Sequence, residues 1–249
     1  MSHLARQVRA EQRLYWRNLP AAFFTFLLPI VFLAFFGVYG RHRTVNGEPY
    51  AHFFVPGMLG MAVVVTTFAG IAITLTIRRD RGILKRVRGT PLEPSEYLGG
   101  LICSTVIVLG IESLVVLLLG RFAFSVALPS AWYQLVALVM LGAACFAPLG
   151  IAATRLVPNA EGSSAVVNAM YLPVLFLSGA FFPVKDLPPV LQWIADLLPL
   201  TYLLSAMRSV VRNGSLQQSD LAGLLVLVAW GVGGCIVALR TFRWEPRGG

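Results

Sequence analysis

The stretch FFVPGMLGMAVVVTTFAGIAITLTIRRDRGILKRVR, residues 53–88, decides the fold because it joins two opposite chemistries. Residues 53–77 carry no formal charge, whereas six Lys or Arg fall within residues 78–88. A helix needs about 20 apolar residues to cross the hydrocarbon of a bilayer, and basic residues collect in cytoplasmic loops. The stretch therefore predicts a membrane-spanning helix that ends in a cytoplasmic loop.

Similar apolar windows recur along the chain, so we expect an all-α integral membrane protein with about six spans. The composition agrees, since 57% of residues are hydrophobic and 12% are charged, against about a quarter charged in a soluble domain. We expect one transmembrane domain over residues 1–249, with spans at residues 19–40, 53–77, 97–120, 132–154, 163–183 and 220–240.

The distribution of positive charge predicts the orientation. Fourteen of the 20 Lys and Arg residues lie in the N-terminal head, the loop after span 2, the loop after span 4 and the C-terminus. Positive charge marks the cytoplasmic side, so both termini should be cytoplasmic in a multi-pass protein of the cell (inner or plasma) membrane. The same distribution argues against nucleic acid as the partner of this basic chain. Arg outnumbers Lys 18 to 2, which is typical of a GC-rich, bacterial genome.

No catalytic or metal-binding motif occurs in the sequence. It has no phosphate loop, no H-E-x-x-H and no nucleophile elbow. The three cysteines fall inside predicted spans and fit packing better than a disulfide or zinc site, and the three histidines fall outside the spans. We therefore expect no catalytic residue, no metal and no cofactor bound by this chain. The cysteines are Cys103, Cys145 and Cys235, and the histidines are His3, His42 and His52.

The N-terminal head, residues 1–18, has the pattern of an amphipathic helix lying in the membrane interface. At 100° per residue, Leu4, Val8 and Tyr15 share one face. Four arginines share the opposite face and would meet anionic lipid headgroups. Glu11 interrupts the apolar face. It either reaches water or pairs locally, or it pairs with a basic residue of the loop at residues 78–96.

That loop has more organisation than a topology marker requires. A short helix from Asp80 to Arg88 would group Ile83, Leu84 and Val87 on one side and Arg81, Lys85 and Arg88 on another. Pro91 would end this helix, and Ser95 could cap span 3. Positive charge alone would satisfy the orientation rule, so the pattern favours a docking element.

Residues 184–214 are too apolar for a free loop and too charged for a span. Prolines at residues 188, 189 and 199 divide the segment, and Asn213-Gly214 predicts a turn. We expect two short amphipathic helices on the outer side that re-enter the outer leaflet or pack over the spans.

Glu112 is the one acidic residue in the interior of a predicted span. An acid at that depth marks a functional site by default. Three roles remain open: a structural residue near the outer water boundary or paired with Arg121, a residue facing substrate, or a proton-coupling site. A lone carboxylate makes a poor proton relay.

The order of these features resembles the membrane permease of ABC-2 type transporters, most closely the drug- and antibiotic-resistance branch. The resemblance rests on the amphipathic head with Glu11, on FFVPGMLG at residues 53–60 and on RRDRGILKRVRGTPLEPSEYLGG at residues 78–100. It rests also on LSGAFFPVKDLPPVLQWIADLLPLTY at residues 177–202, and it covers nearly the whole chain.

The resemblance implies a coupling helix that docks on a separate ATPase subunit. Two ATPase copies would bind ATP and Mg, and two permease copies, identical or paralogous, would move an amphiphilic drug, antibiotic or lipid-like substrate outward. Alternatives are a polysaccharide or glycolipid exporter of the same family and an ion-coupled secondary transporter; a membrane-embedded enzyme is disfavoured. The implied coupling residues are Glu11, Arg81, Gly82, Leu84, Lys85, Arg86 and Arg88. The candidate residues of the substrate path are Glu112, Met58, Phe176 and Phe181.

Overall fold

A computed structural model describes residues 3–40, 43–45 and 47–242 and shows a helical bundle. His42 lies outside the described residues. A two-residue antiparallel hairpin, Thr44–Val45 with Glu48–Pro49, precedes the second span. The helices are α1 (His3–Arg17), α2 (Leu19–Tyr39), α3 (Tyr50–Val63), α4 (Gly70–Asp80), α5 (Ile83–Arg88), α6 (Pro94–Phe124), α7 (Trp132–Ala153), α8 (Ser163–Leu177), α9 (Pro189–Ala195), α10 (Pro199–Asn213) and α11 (Asp220–Thr241).

In the described part of the chain, five helices are long and apolar enough to cross a membrane, which confirms the all-α membrane fold. They are α2, the continuous helix Tyr50–Asp80, α6, α7 and α11. The pair α9 and α10, bent by 84°, raises the number of crossings to six if it is counted as one broken span. The predicted span at residues 163–183 is shorter than expected, because α8 ends at Leu177 after 15 residues. Its role as a crossing stays a prediction.

Span 2, the continuous helix Tyr50–Asp80, lies at the centre of the bundle. Its most apolar window is 72% buried, against 28% for α2 and 22% for α11. A π-helical segment, Val64–Ala69, joins α3 to α4. Within it the Thr67 hydroxyl donates to the Val63 carbonyl oxygen at 2.6 Å, and such bonds compete with the regular helical pattern.

The loop after span 2 folds differently from the predicted helix at Asp80–Arg88. α4 continues to Asp80, and the chain turns at Arg81-Gly82 before α5 begins at Ile83. Gly82 has a φ of +69°, a left-handed conformation that costs residues with a Cβ about 1–2 kcal/mol. The helix ends at Arg88, as the proline at residue 91 predicts.

The start of α6 corrects the predicted cap of span 3. Glu93, not Ser95, is the N-cap residue, and it forms a capping box with Glu96. Pro94 occupies the first turn, where its missing N–H costs nothing. α6 therefore begins three residues before the predicted span at residues 97–120.

The segment at residues 184–214 forms the two predicted short helices. α9 begins after Pro188, and α10 begins at Pro199 and ends where Gly214 adopts a left-handed φ of +79°. α10 is amphipathic and buries one face against α3, α7 and α11. That buried face includes Leu200, Leu203, Leu204, Met207 and Val210.

Candidate functional site

The site is built at the end of the bundle that carries α1, α5 and the loop between α7 and α8, hereafter the basic end. Glu11 on α1 is 4% exposed and faces Arg78 in the last turn of α4. The two guanidinium N–H groups of Arg78 donate to Glu11 Oε1 at 2.7 Å and Oε2 at 2.6 Å. Of the alternatives for Glu11, the structure shows pairing with a basic residue of residues 78–96, namely Arg78.

Two further residues complete this ion pair. Arg78 Nη1 also donates to the Tyr97 hydroxyl of α6 at 2.8 Å, and Gln7 Nε2 donates to Glu11 Oε1 at 2.8 Å. A bidentate pair of this kind has fixed geometry as well as charge. The ion pair therefore connects α1 to the C-terminal end of span 2, and the hydrogen bond to Tyr97 connects both to the start of α6.

A second connection lies on the other side of the same turn. Arg79 is 3% exposed and donates to the carbonyl oxygens of Thr154 at 2.9 Å and Val157 at 2.6 Å. These carbonyls follow the end of α7, where helical partners run out. The Asp80 carboxylate accepts a hydrogen bond from the Ala160 N–H at 3.1 Å. Span 2 is thus fixed to the loop that leads into α8.

Sequence reasoning missed this second connection, because Arg79 and Asp80 resemble the solvated charges beside them. The sequence signal for this connection is the position of two arginines. Arg78 and Arg79 are neighbours on a helix, so their side chains point about 100° apart. Two consecutive arginines at the end of a buried span can therefore reach two different segments.

The short helix α5 is anchored by the residue that was expected to contact a partner. Leu84 is 0% exposed and packs in an apolar cluster with Leu75, Tyr97, Leu101 and Ile151. Its predicted contact with an ATPase is therefore corrected to an anchoring role. The adjacent Ile83 is 39% exposed instead.

The cations of this loop remain on the outside. The helical period predicts an apolar and a basic side, but it does not tell which apolar residue the spans cover. The exposed basic residues are Arg81, Lys85, Arg86 and Arg88. Together with Ile83 they form an exposed surface, hereafter the α5 surface. Gly82 sets the turn that projects this surface.

A cavity of about 790 Å³ opens between α1, α2, span 2, α5, α6 and α8. Arg78 and Arg81 line it at the basic end, and Thr66 of the π-helical segment lines it farther along span 2. Asn168 and Tyr171 of α8 contribute polar groups from the far wall. Its volume falls within the roughly 300–1,000 Å³ typical of ligand sites.

Glu112 lies just behind this cavity. Its side chain is 1% exposed, near the middle of α6, and its Oε2 accepts a hydrogen bond from the Thr66 hydroxyl at 2.5 Å. The position at the outer water boundary and the pairing with Arg121 are therefore wrong for this structure. Among the described residues, no Lys or Arg forms an ion pair with Glu112.

The other three candidate residues of the substrate path do not line the cavity. Met58 is fully buried in the main core, and Phe181 is 3% exposed. Phe181 stacks near Phe36, and its carbonyl oxygen accepts the Tyr50 hydroxyl at 2.6 Å. Phe176 packs against Phe181 with ring centroids 5.1 Å apart. Phe176 and Phe181 belong to an aromatic cluster with Phe36, whereas Met58 belongs to the main core. The place of these three residues on a substrate path stays a prediction.

No group of three or more His, Cys, Asp or Glu that could hold a metal ion occurs within residues 3–40, 43–45 and 47–242. The three cysteines are free thiols on helices, and Cys145 is the buried one. The geometry of the basic end is therefore one of ion pairs, an exposed basic helix and a cavity.

Comparison with known proteins agrees with this geometry. The sequence profile of the ABC-2 type transporter family matches residues 4–211. The putative transport permease YvfS of Bacillus subtilis (strain 168) is 23% identical over 92% of this chain and 93% of its own length. The daunorubicin resistance ABC transporter permease protein DrrB1 of Streptomyces coeruleorubidus is 29% identical over 75% of this chain and 67% of its own length.

A third relative is the probable multidrug ABC transporter permease YbhS of Escherichia coli (strain K12), which is 24% identical over 72% of this chain and 48% of its own length. The family match runs from α1 into α10, so it contains both connections at the basic end, the α5 surface and the cavity. The chain therefore belongs to the ABC-2 type transporter family, as a permease subunit of an ABC transporter.

Proposed function

We propose that the chain is the permease of an ATP-driven exporter and that α5 is its docking element for a separate ATPase subunit. The observation that carries this proposal is the arrangement of α5. Leu84 fixes the helix to the spans, while Ile83 and the cations of the α5 surface are exposed. Arg81 and Ile83 also line the cavity, so the exposed surface of α5 adjoins it. An apolar residue surrounded by cations is complementary to a cleft in the partner subunit that has acidic residues around its edge.

The two connections of span 2 would carry a movement of α5 into the membrane. Arg78 leads to α1 through Glu11, and Arg79 leads to the loop before α8 through Thr154 and Val157. α1 and α8 both contribute to the wall of the cavity. A shift of α5 driven by the ATPase would therefore change the width of the cavity.

The remaining parts of the proposal concern assembly and orientation. Two ATPase copies, which would bind ATP and Mg, act on two permease copies, either identical or paralogous. The basic end faces the cytoplasm, as the charge distribution favours, with the arginines of α1 toward lipid headgroups and both termini inside a bacterial cell membrane. The cavity would receive an amphiphilic drug, antibiotic or lipid-like molecule, and the names of DrrB1 and YbhS support a drug.

Charge reversal on the α5 surface tests the docking proposal. We expect the variant Arg81→Glu/Lys85→Glu to fold like the wild type, because both side chains are exposed. We expect it to lose co-purification with the ATPase subunit and to lose ATP-dependent export, because like charges repel across the contact. The measurements are co-purification from native membranes and export with and without ATP depletion.

The matched control is Arg121→Glu, which reverses an exposed charge at the other end of α6. Normal association of the Arg81→Glu/Lys85→Glu variant with the ATPase would contradict docking through α5. Transport that continues unchanged after ATP depletion would instead favour an ion-coupled transporter.

A further inference from the structure

Two oxygen groups on the cavity wall and one directly behind it come from three different elements. Thr66 comes from the π-helical segment of span 2, Glu112 from α6 and Tyr15 from α1. Thr66 and Tyr15 line the cavity, and so does Val108, one helical turn before Glu112. Burial raises the pKa of Tyr15, and the Glu112 carboxylate adds a smaller rise.

The two buried acids among the described residues, Glu11 and Glu112, differ in how they are compensated. Glu11 has a bidentate arginine and a glutamine amide. Glu112 has one hydroxyl, from Thr66, and no Lys or Arg within the described residues forms an ion pair with it. A carboxyl group at this depth is costly unless it is paired. What Glu112 lacks is a positive charge.

The π-helical segment brings this carboxyl group within reach of the cavity. It places the Thr66 side chain both on the cavity wall and against Glu112 Oε2. The Thr66 side chain therefore connects the cavity wall to the carboxyl group. π-helical segments in otherwise α-helical spans are frequent at functional sites. The rest of the nearby wall is apolar, with Val65, Ile73 and Ile77.

We propose that the cavity binds a cationic amphiphile, with an amine headgroup at Glu112 and Thr66 and its apolar part along Val65, Ile73 and Ile77. The ammonium group donates hydrogen bonds to the carboxylate and to the Thr66 hydroxyl oxygen, and Tyr15 offers a third oxygen acceptor. The inference deepens the proposed export function and rests on it only for the outward movement. The binding itself requires no ATPase.

Two probes that differ in one terminal group, charged in the first and neutral in the second, test this site. One is a dansylated alkyl diamine with a free terminal amine, and the other is the same molecule with that amine N-acetylated. Binding is measured by dansyl fluorescence with the purified full-length permease in lipid nanodiscs. We expect the wild type to bind the free amine about tenfold more tightly than the acetylated probe, which corresponds to about 1.4 kcal/mol.

Glu112→Gln keeps the shape of the side chain and removes its charge. We expect it to weaken binding of the free amine about tenfold and to leave the acetylated probe unchanged, so that the preference disappears. Glu161→Gln, which removes an exposed acid from the loop before α8, should keep the preference. Thr66→Ser, which retains the hydroxyl, should keep it as well, and thermal melting shows whether each variant is folded.

The outcomes separate this inference from the proposed function. A wild type without a preference for the free amine, or Glu112→Gln that keeps the preference, overturns the cation site even if ATP-dependent export is observed. Loss of the preference in Glu112→Gln supports the site, and it does so even if the permease associates with no ATPase. Should Glu112→Gln fail to fold, Thr66→Val removes one of the three proposed oxygen contacts. We expect it to reduce the preference for the free amine, and an unreduced preference would overturn the site.

Discussion

Glu11→Arg is expected to abolish transport and to destabilise the permease by about 3 kcal/mol or more, because it places a second guanidinium against buried Arg78. The native pair is 4% exposed at Glu11 and 15% exposed at Arg78, so water screens the repulsion little. The measurements are the apparent melting temperature of the purified permease and export of a fluorescent amphiphile. The single variant alone would not separate a specific pair from a general need for an acid on α1.

Double variants with a compensating charge reversal distinguish a specific pair from a general need for an acid on α1. Glu11→Arg combined with Arg78→Glu restores opposite charges at the same positions, and Tyr97, which lies within hydrogen-bond distance of Arg78, remains to bind the new carboxylate. We expect this double variant to recover most of the stability. Glu11→Arg with Lys85→Glu should show no recovery, because Lys85 lies on the exposed side of α5. Equal recovery by both double variants would contradict a specific connection.

Gly57→Ala is expected to lower the apparent melting temperature by roughly 5–10 °C, through overpacking that costs about 1–3 kcal/mol. A Cβ at Gly57 would lie 2.1 Å from the carbonyl oxygen of Ala180, a backbone atom that no rotamer change can remove. Close approach of backbones is how small residues pack helices within membranes. The motif FFVPGMLG therefore places a glycine where span 2 meets the turn after α8.

The matched control is Gly110→Ala on α6, where a Cβ would meet no atom within 4 Å. Alanine should be neutral or slightly stabilising there, since glycine is the poorer helix former. Thermal melting of the two variants in the same detergent provides the comparison. Equal melting temperatures for both variants would show that the packing of Gly57 against Ala180 is not tight in solution.

The fold could be predicted from sequence because the bilayer imposes strong and local rules. A charge-free run such as residues 53–77 has few alternatives to a spanning helix, and Glu11 stood out because it interrupts an apolar helical face. Hydropathy is less informative where a helix stops short. α8 ends at Leu177, before the apolar run does, because the chain turns at Gly179 with a φ of +80°.

The site was less predictable, because its parts meet across long stretches of sequence. Periodicity placed Leu84 on an apolar side but could not show that Leu75 and Ile151 cover it. The partners of Arg79 are backbone carbonyls, which no side-chain pattern reveals. The neighbour of Glu112 depends on the π-helical segment, which realigns span 2 by a fraction of a turn.

The most direct measurement of the central claim is site-specific cross-linking between α5 and the ATPase subunit. Cysteine is introduced at Ile83 or at Leu84 in a variant whose three native cysteines are replaced, and a thiol-to-amine cross-linker is added to native membranes. The two positions are adjacent, yet Ile83 is 39% exposed and Leu84 is 0% exposed. We predict a cross-linked product with the ATPase subunit from Ile83→Cys and none from Leu84→Cys. A product from Leu84→Cys alone, or from neither position in an actively exporting membrane, would contradict α5 as the docking element.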